Sequence, residues 1–233
     1  MDHQPRSGVC PEKRARDRLI RLVATHPTWA LGFEDEVWWS RLAQPALHSW
    51  AEPDQPLRLV EQTVAKADPD PKALACYGLL VRWVGPDGGQ AETAWLRFVA
   101  GRPVSARTIE FLAWGCHRLA AAGKEALLLV WDNAPWHGSR AVRQWIRAHN
   151  RQVKATGQGV RILPCYLPSK SPWLNPIEAQ WAHGKRRVVE PARLLTAADL
   201  RARVCAAFDC PEEALLGLPD PLDTHLVIPE QVA

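Results

Sequence analysis

Six uninterrupted apolar residues, Ala126–Trp131 (ALLLVW), constrain the fold of this chain more than any other feature. A strand with one solvated face alternates apolar and polar residues. An unbroken apolar run of this length suits a strand covered on both faces. The flanking segments supply what covers it. Ahead of Ile109, Leu112, Cys116 and Leu119, which fall at helical spacing, Ser105 can cap a helix. Downstream, Ser139 can start a second helix with Val142, Trp145, Ile146 and His149 on one face. An exposed loop is expected over Lys154–Gly159, then a short strand over Val160–Leu163 and a proline-rich loop, PCYLPSKSPWLNP. A third helix is expected from Pro176, and Thr196-x-x-Asp199 announces a fourth through a capping-box pattern.

The first half of the chain differs in character. A short basic helix ends at Pro27, and strand-like segments follow at 28–33, 57–65, 73–84 and 90–99. The turn GPDGG between the last two argues for a hairpin. Antiparallel strands first, then alternating strands and helices, predict a mixed α/β sheet with helices on both faces. The expected division is a basic segment over 1–27, one domain over 28–190, and a C-terminal helix with an acidic tail over 191–233.

The chain of 233 residues is 47% hydrophobic and 23% charged, as a globular protein is and a disordered one is not. No apolar run approaches the ~18 residues of a membrane span, and the polar, basic N-terminus lacks an apolar signal core. Six cysteines without framework spacing suit a reducing compartment, so a cytoplasmic protein is expected. Net charge is only +4, but between Gly138 and Val188 ten basic residues stand against one acid, Glu178. Such a segment suits either a polyanion, with nucleic acid the usual one, or a solvated helix face.

Three acidic positions sit where a site would be built: Asp35 after the first strand, Asp132 directly after ALLLVW, and Glu178 in the first turn of the third helix. Ligands collect at strand carboxyl ends in such sheets. Brought together, these carboxylates would repel unless a cation lay between them, and hard oxygen donors suit Mg²⁺ or Mn²⁺ rather than zinc. Two such ions can activate a nucleophile and stabilise the leaving oxygen of a phosphodiester. Each acid also has a plainer role. Glu34 and Glu36 flank Asp35 and leave open which carboxylate points inward. Asp132 in DNAP suits a turn, and Glu178 is placed to close a capping box on Asn175.

WDNAPWH at Trp131–His137 and LPSKSPWLNPIEAQW at Leu167–Trp181 resemble the second and third catalytic motifs of the mariner-like DDE transposase superfamily, most closely its bacterial insertion-sequence branch. FEDE at Phe33–Glu36 resembles the first acidic block. The resemblance covers about Trp29–Val188. It implies an RNase H-like fold, metal-dependent DNA cleavage and strand transfer, and the triad Asp35, Asp132 and Glu178 as ligands of Mg²⁺ or Mn²⁺, with two ions expected. Asn133 and His137 are supporting candidates beside Asp132. Lys170, Trp173, Lys185, Arg186 and Arg187 are candidates for DNA contact; Lys185, two turns after Glu178, shares its face. Trp38, Trp39, Trp95, Trp114 and Trp145 are expected in the core.

Two features depart from that pattern. Asp132 and Glu178 are separated by 45 residues, more than is usual for the family, a surplus that surface loops absorb cheaply. About 27 residues precede the first strand, too few for the helix-turn-helix modules that read element ends. A separately encoded module, or truncation, is the expectation. DNA is the implied partner, as element ends and target, TA sites being the expected targets. A homodimer is expected when active, with nucleoid association. The alternatives are an inactive remnant that binds DNA through phosphates and a stand-alone RNase H-like nuclease.

Overall fold

A computed structural model of the chain describes residues 11–44, 63–85, 88–169 and 171–217. Five strands form one sheet: β1 (Trp29–Ser40), β2 (Ala73–Val84), β3 (Gln90–Phe98), β4 (Ala126–Trp131) and β5 (Arg161–Tyr166). Their order is β3-β2-β1-β4-β5, antiparallel between β1, β2 and β3 and parallel from β1 through β4 to β5. The buried run is β4, and all six of its residues are buried. Pro164 lies in the edge strand β5, the position in a sheet that tolerates a missing N–H.

The helices are α1 (Pro11–Ala24), α2 (Ser105–Ala121), α3 (Arg140–Thr156), α4 (Ile177–Arg187) and α5 (Ala197–Ala207). Strand alternation sorts the core into two layers. Leu31, Phe33, Leu80, Leu128 and Val130 pack with α1, α4 and α5. Tyr77, Leu79, Leu127, Leu129 and Trp131 pack with α2 and α3. Helices therefore cover both faces, as the apolar run requires. α5 begins with the expected capping box, in which Thr196 Oγ1 accepts from Asp199 N at 3.0 Å. α3 is capped by Ser139, whose Oγ accepts from Val142 N at 3.2 Å. Asn150 then ties α3 to the sheet edge, exchanging two 2.8 Å hydrogen bonds with the Ile162 backbone.

Several boundaries differ from the sequence reading. β1 runs on through Glu34-Asp35-Glu36 to Ser40, so the acidic block lies within the strand rather than at its end. α3 continues through Lys154–Thr156 and stops at Gly157, whose φ of 69° makes the left-handed cap. Ser105 lies inside α2, whose N-cap is Val104 and makes no side-chain bond. The strand expected over 57–65 and the tip of the hairpin at Pro86 and Asp87 fall largely outside the described residues, as does the acidic tail beyond 217. Residues 63–65 are not strand. Among the described residues no helix is long and apolar enough to cross a membrane.

Candidate active site

Phe33 and Val130 are partners across the parallel β1–β4 pair. Two residues further along each chain come Asp35 and Asp132, so the register that aligns the core also sets these carboxylates side by side. Asp35 faces the α4 side of the sheet, where Trp181 Nε1 donates to its Oδ2 at 2.9 Å. Glu178 enters from the first turn of α4. All three line one cavity of about 460 Å³, closed on its other side by Leu167, Pro168, Ser169, Ser171 and Pro172 and by Asn133 and Asn175.

Asn175 does not cap α4 with its side chain. Its Nδ2 donates to the Glu34 carbonyl at 2.9 Å, and Glu178 N reaches the Asn175 backbone oxygen at 3.1 Å. The capping box considered for Glu178 is therefore absent, and the glutamate side chain is exposed to the cavity. Asn175 itself is 4% exposed, and its Oδ1 is buried without a hydrogen-bond partner among the described residues.

A second cavity of about 300 Å³ lies between β3 and the ends of α4 and α5, lined by Glu92, His183, Arg187 and Phe208. It touches none of the three candidate acids. Its Glu92 is paired with Arg82, so the chemistry points to the first cavity.

The carboxylates there are held in unequal states. Burial, then the charges of Glu178 and Glu36, push Asp35 up to about 7, against the smaller opposing effect of the Trp181 hydrogen bond. Burial and Asp132 also raise Glu178, while Lys185 lowers it. Asp132 moves the other way, held low chiefly by its hydrogen bond with His137. Three carboxylates, all hard oxygen donors, line the cavity. That donor set fits a divalent cation, whose charge would relieve the repulsion.

Behind Asp132 lies a network that connects residues a hundred positions apart. His137, fully buried, lies with Nδ1 2.8 Å from Asp132 Oδ1 and with its ring stacked on Trp131 at 4.7 Å. Its Nε2 lies 3.1 Å from Glu36 Oε1 and 3.0 Å from Glu34 Oε2. Trp136 Nε1 also donates to Glu36 Oε1, at 2.8 Å. Only the Glu36 contact has hydrogen-bond geometry, and both Glu34 oxygens are left without a well-directed partner. Burial pushes Glu34 up to about 8 although His137 opposes it. Burial disfavours imidazolium, but the nearby Glu34 carboxyl and the hydrogen bonds that the ring donates to Asp132 and Glu36 outweigh it, so His137 is held protonated. Glu34, Glu36 and His137 also bring ligand atoms within 4.8 Å of one another. There the imidazolium already supplies the positive charge between the carboxylates.

These states fix how stability depends on pH. Asp35 keeps its proton in the folded chain to about 7, but loses it near 3.8 when unfolded. Across that window the native state binds more protons, so stability falls as pH rises. His137, with its raised value, adds to the same trend above 6.5. Without metal, the melting temperature is expected to drop by several degrees between about pH 5 and about pH 8. Mn²⁺ should raise it more at the upper end than at the lower. A thermal melt series checks this; a flat profile, or equal stabilisation at both ends, would contradict the assignment of Asp35.

The structure brings Asp35, Asp132, Glu178 and Asn133 to one cavity, with Asn133 Nδ2 donating to the Leu167 carbonyl at 2.6 Å. His137 lies behind it. Of the candidates for DNA contact, Trp173 is 75% exposed on a short 3₁₀ turn, Pro172–Leu174, whose first residue lines the cavity. Lys185 is exposed and close enough to act on Glu178. Arg186 contacts His183 at 2.8 Å, and Arg187 donates to the Ala207 carbonyl at 2.7 Å, at the second cavity. Lys170 lies outside the described residues. Trp39 and Trp95 are buried and Trp114 and Trp145 half-buried, but Trp38 is 49% exposed because β1 continues past the core edge. Glu34 and Asn175 entered the sequence reading only as an alternative to Asp35 and as a helix cap, and Trp181 had no role there. Strand alternation carried through FEDE would have separated Asp35 from Glu34 and Glu36.

Sheet order, helices on both faces and a carboxylate cavity at the end of β4 define an RNase H-like domain with an acidic site. Residues 95–201, from β3 into α5, match the family model of the DDE superfamily endonuclease, a stretch that includes Asp132 and Glu178 but not Asp35. The fold is similar to that of the Mos1 transposase paired-end complex with left transposon end, with a TM-score of 0.54 and 17% identity over 91% of this chain and 59% of that one. The Mos1 mariner paired end complex with Mn gives 0.50 and 14%, over the same shares. The chain thus spans about three fifths of those Mos1 chains, and its fold is that of RNase H-like DDE transposase catalytic domains. No curated protein sequence matches it.

Proposed function

We propose that the chain is a DDE transposase catalytic domain of the insertion-sequence type, which cuts DNA phosphodiesters with a divalent metal and transfers the freed end to target DNA. The observation that carries this reading is the convergence of Asp35, Asp132 and Glu178, from three separate elements, on one cavity. Mg²⁺ or Mn²⁺, as two ions, would be held by these carboxylates. When bound, the metal supplies nucleophile activation and charge neutralisation at the phosphorus. The chain's own residues position the groups. Trp181 aims Asp35, His137 fixes the rotamer and ionised state of Asp132, and α4 presents Glu178 with Lys185 beside it for a phosphate. A second copy of the chain and a separately encoded end-reading module would complete the transposing assembly.

Nicking of supercoiled plasmid tests the core of this reading. Purified chain with Mn²⁺ is expected to convert supercoiled to open-circular DNA, and EDTA to abolish the conversion. Nicking that persists in EDTA would sink the metal-dependent mechanism.

A further inference from the structure

We infer that the exposed face of α3 is a docking surface for duplex DNA, gripping backbone phosphates without reading sequence; this rests on the proposed action on DNA. Arg140, Arg143, Arg147, Arg151 and Lys154 recur every three or four residues, and each is exposed. At about 100° per residue they fall within roughly 80° of the helix circumference, centred about 120° from the sector of Val142, Ile146 and Val153 that packs on the sheet.

Neighbouring members of such a row repel and destabilise a helix. Solvated faces ordinarily relieve this by interleaving acids, yet α3 contains no Asp or Glu at all. None of the five makes an ion pair or side-chain hydrogen bond among the described residues. Arg140 and Arg143 moreover sit in the first turn, where the helix dipole disfavours cations. The repulsion is left uncompensated within the chain, and a polyanion compensates it.

Placement selects the polyanion. α3 starts three residues after His137, and Tyr166, whose hydroxyl donates to the His137 carbonyl at 3.2 Å, lies within electrostatic reach of Arg143. The row therefore begins at the end of the sheet that carries the carboxylate cavity, on the face opposite α4. From Arg140 to Lys154 it extends about 21 Å, the rise of about six base pairs at 3.4 Å each. A straight, rigid row of this length suits the regular phosphates of a duplex better than a flexible single strand, which stacking aromatics would hold.

The test is fluorescence anisotropy with a labelled random-sequence duplex of about 30 base pairs in EDTA, over a salt series. The triple variant Arg147→Gln/Arg151→Gln/Lys154→Gln alters only the distal part of the row. It is expected to bind at least about tenfold more weakly at ~0.1 M salt, with the log–log salt slope shallower by about 3. Its melting temperature should equal or exceed that of the wild type, since repulsion is removed, which separates lost contacts from lost folding. Lys66→Gln/Lys72→Gln/Arg102→Gln changes net charge equally at exposed sites elsewhere and should leave the slope nearly unchanged. An unchanged slope in the α3 variant, or an equal loss in the control, would overturn the assignment. So would single-stranded DNA binding as tightly as duplex with the same sensitivity to the variant. Binding is read without metal, so this result is independent of the nicking assay, which tests the catalytic reading.

Discussion

Asp132→Asn is expected to abolish Mn²⁺-dependent nicking while leaving the fold and DNA affinity in place. The substitution removes one charge and almost nothing else. Asparagine Oδ1 can still accept from Ala134 N and His137 Nδ1, both now 2.8 Å from Asp132 Oδ1. The Asp132 side chain is also 53% exposed, so no buried cavity opens. The melting temperature should stay within a few degrees of the wild type. What is lost is an anionic ligand whose charge His137 keeps fully developed. Several kcal/mol of transition-state stabilisation then disappear, about a thousandfold in rate. Duplex affinity should hold or improve, since a negative charge near the phosphates is gone. Asp35→Asn should behave alike, whereas Glu36→Gln should keep most activity, because Glu36 lies on the opposite face and its replacement can still accept from His137 and Trp136. Wild-type nicking by Asp132→Asn would show the triad to be wrong. Greater loss in Glu36→Gln than in Asp35→Asn would move the first ligand by one residue.

What was legible in the sequence was local. ALLLVW specified β4 to the residue, because nothing but burial on both faces explains six apolar residues in succession. Ser139 and the Thr196–Asp199 pair marked helix starts through short-range hydrogen bonds that need no tertiary information. Errors arose where a distant partner overrode local chemistry. Three acids in a row look like the end of a strand, yet β1 continues because Glu34 and Glu36 find His137 and Trp136 a hundred residues on. Asn175 and Glu178 have capping-box spacing, but Glu34 offers its carbonyl to Asn175 instead. The polar stretch after Val153 looked like loop, but a helix needs a reason to stop, and none comes before Gly157. The motif residues of the cavity were visible through resemblance. Of the groups that hold them, His137 was a candidate through the same motif, whereas Trp181 and the contacts of His137 with Glu34 and Glu36 have no signature at fixed spacing.

Gly78→Ala should be among the most disruptive single-methyl additions available to this chain, costing stability and nicking together. Gly78 is the β2 partner of Asp35 on the same face of the sheet. A Cβ there would lie 2.3 Å from Trp181 Cη2 and 2.4 Å from Cζ2. The indole is wedged by Trp39 and Phe208, with ring centroids 6.3 and 5.3 Å away, so it cannot retreat without moving α5 or the end of β1. Overpacking of this kind costs about 1–3 kcal/mol, several degrees in melting temperature for a domain of this size. Trp181 is also the donor to Asp35 Oδ2, so displacing the ring frees that carboxylate from its orientation and removes the one contact that lowers its proton affinity within the side-chain layer. Nicking should therefore fall even at temperatures where the variant is fully folded. Trp181→Leu makes room for the methyl but offers no donor. Paired with Gly78→Ala, it should recover stability relative to the sum of the single losses, while nicking stays low. Chemical denaturation and plasmid nicking on the four species decide the matter. Additive stability losses would mean that the methyl does not meet the indole, and recovery of nicking in the pair would mean that Asp35 needs no donor from α4.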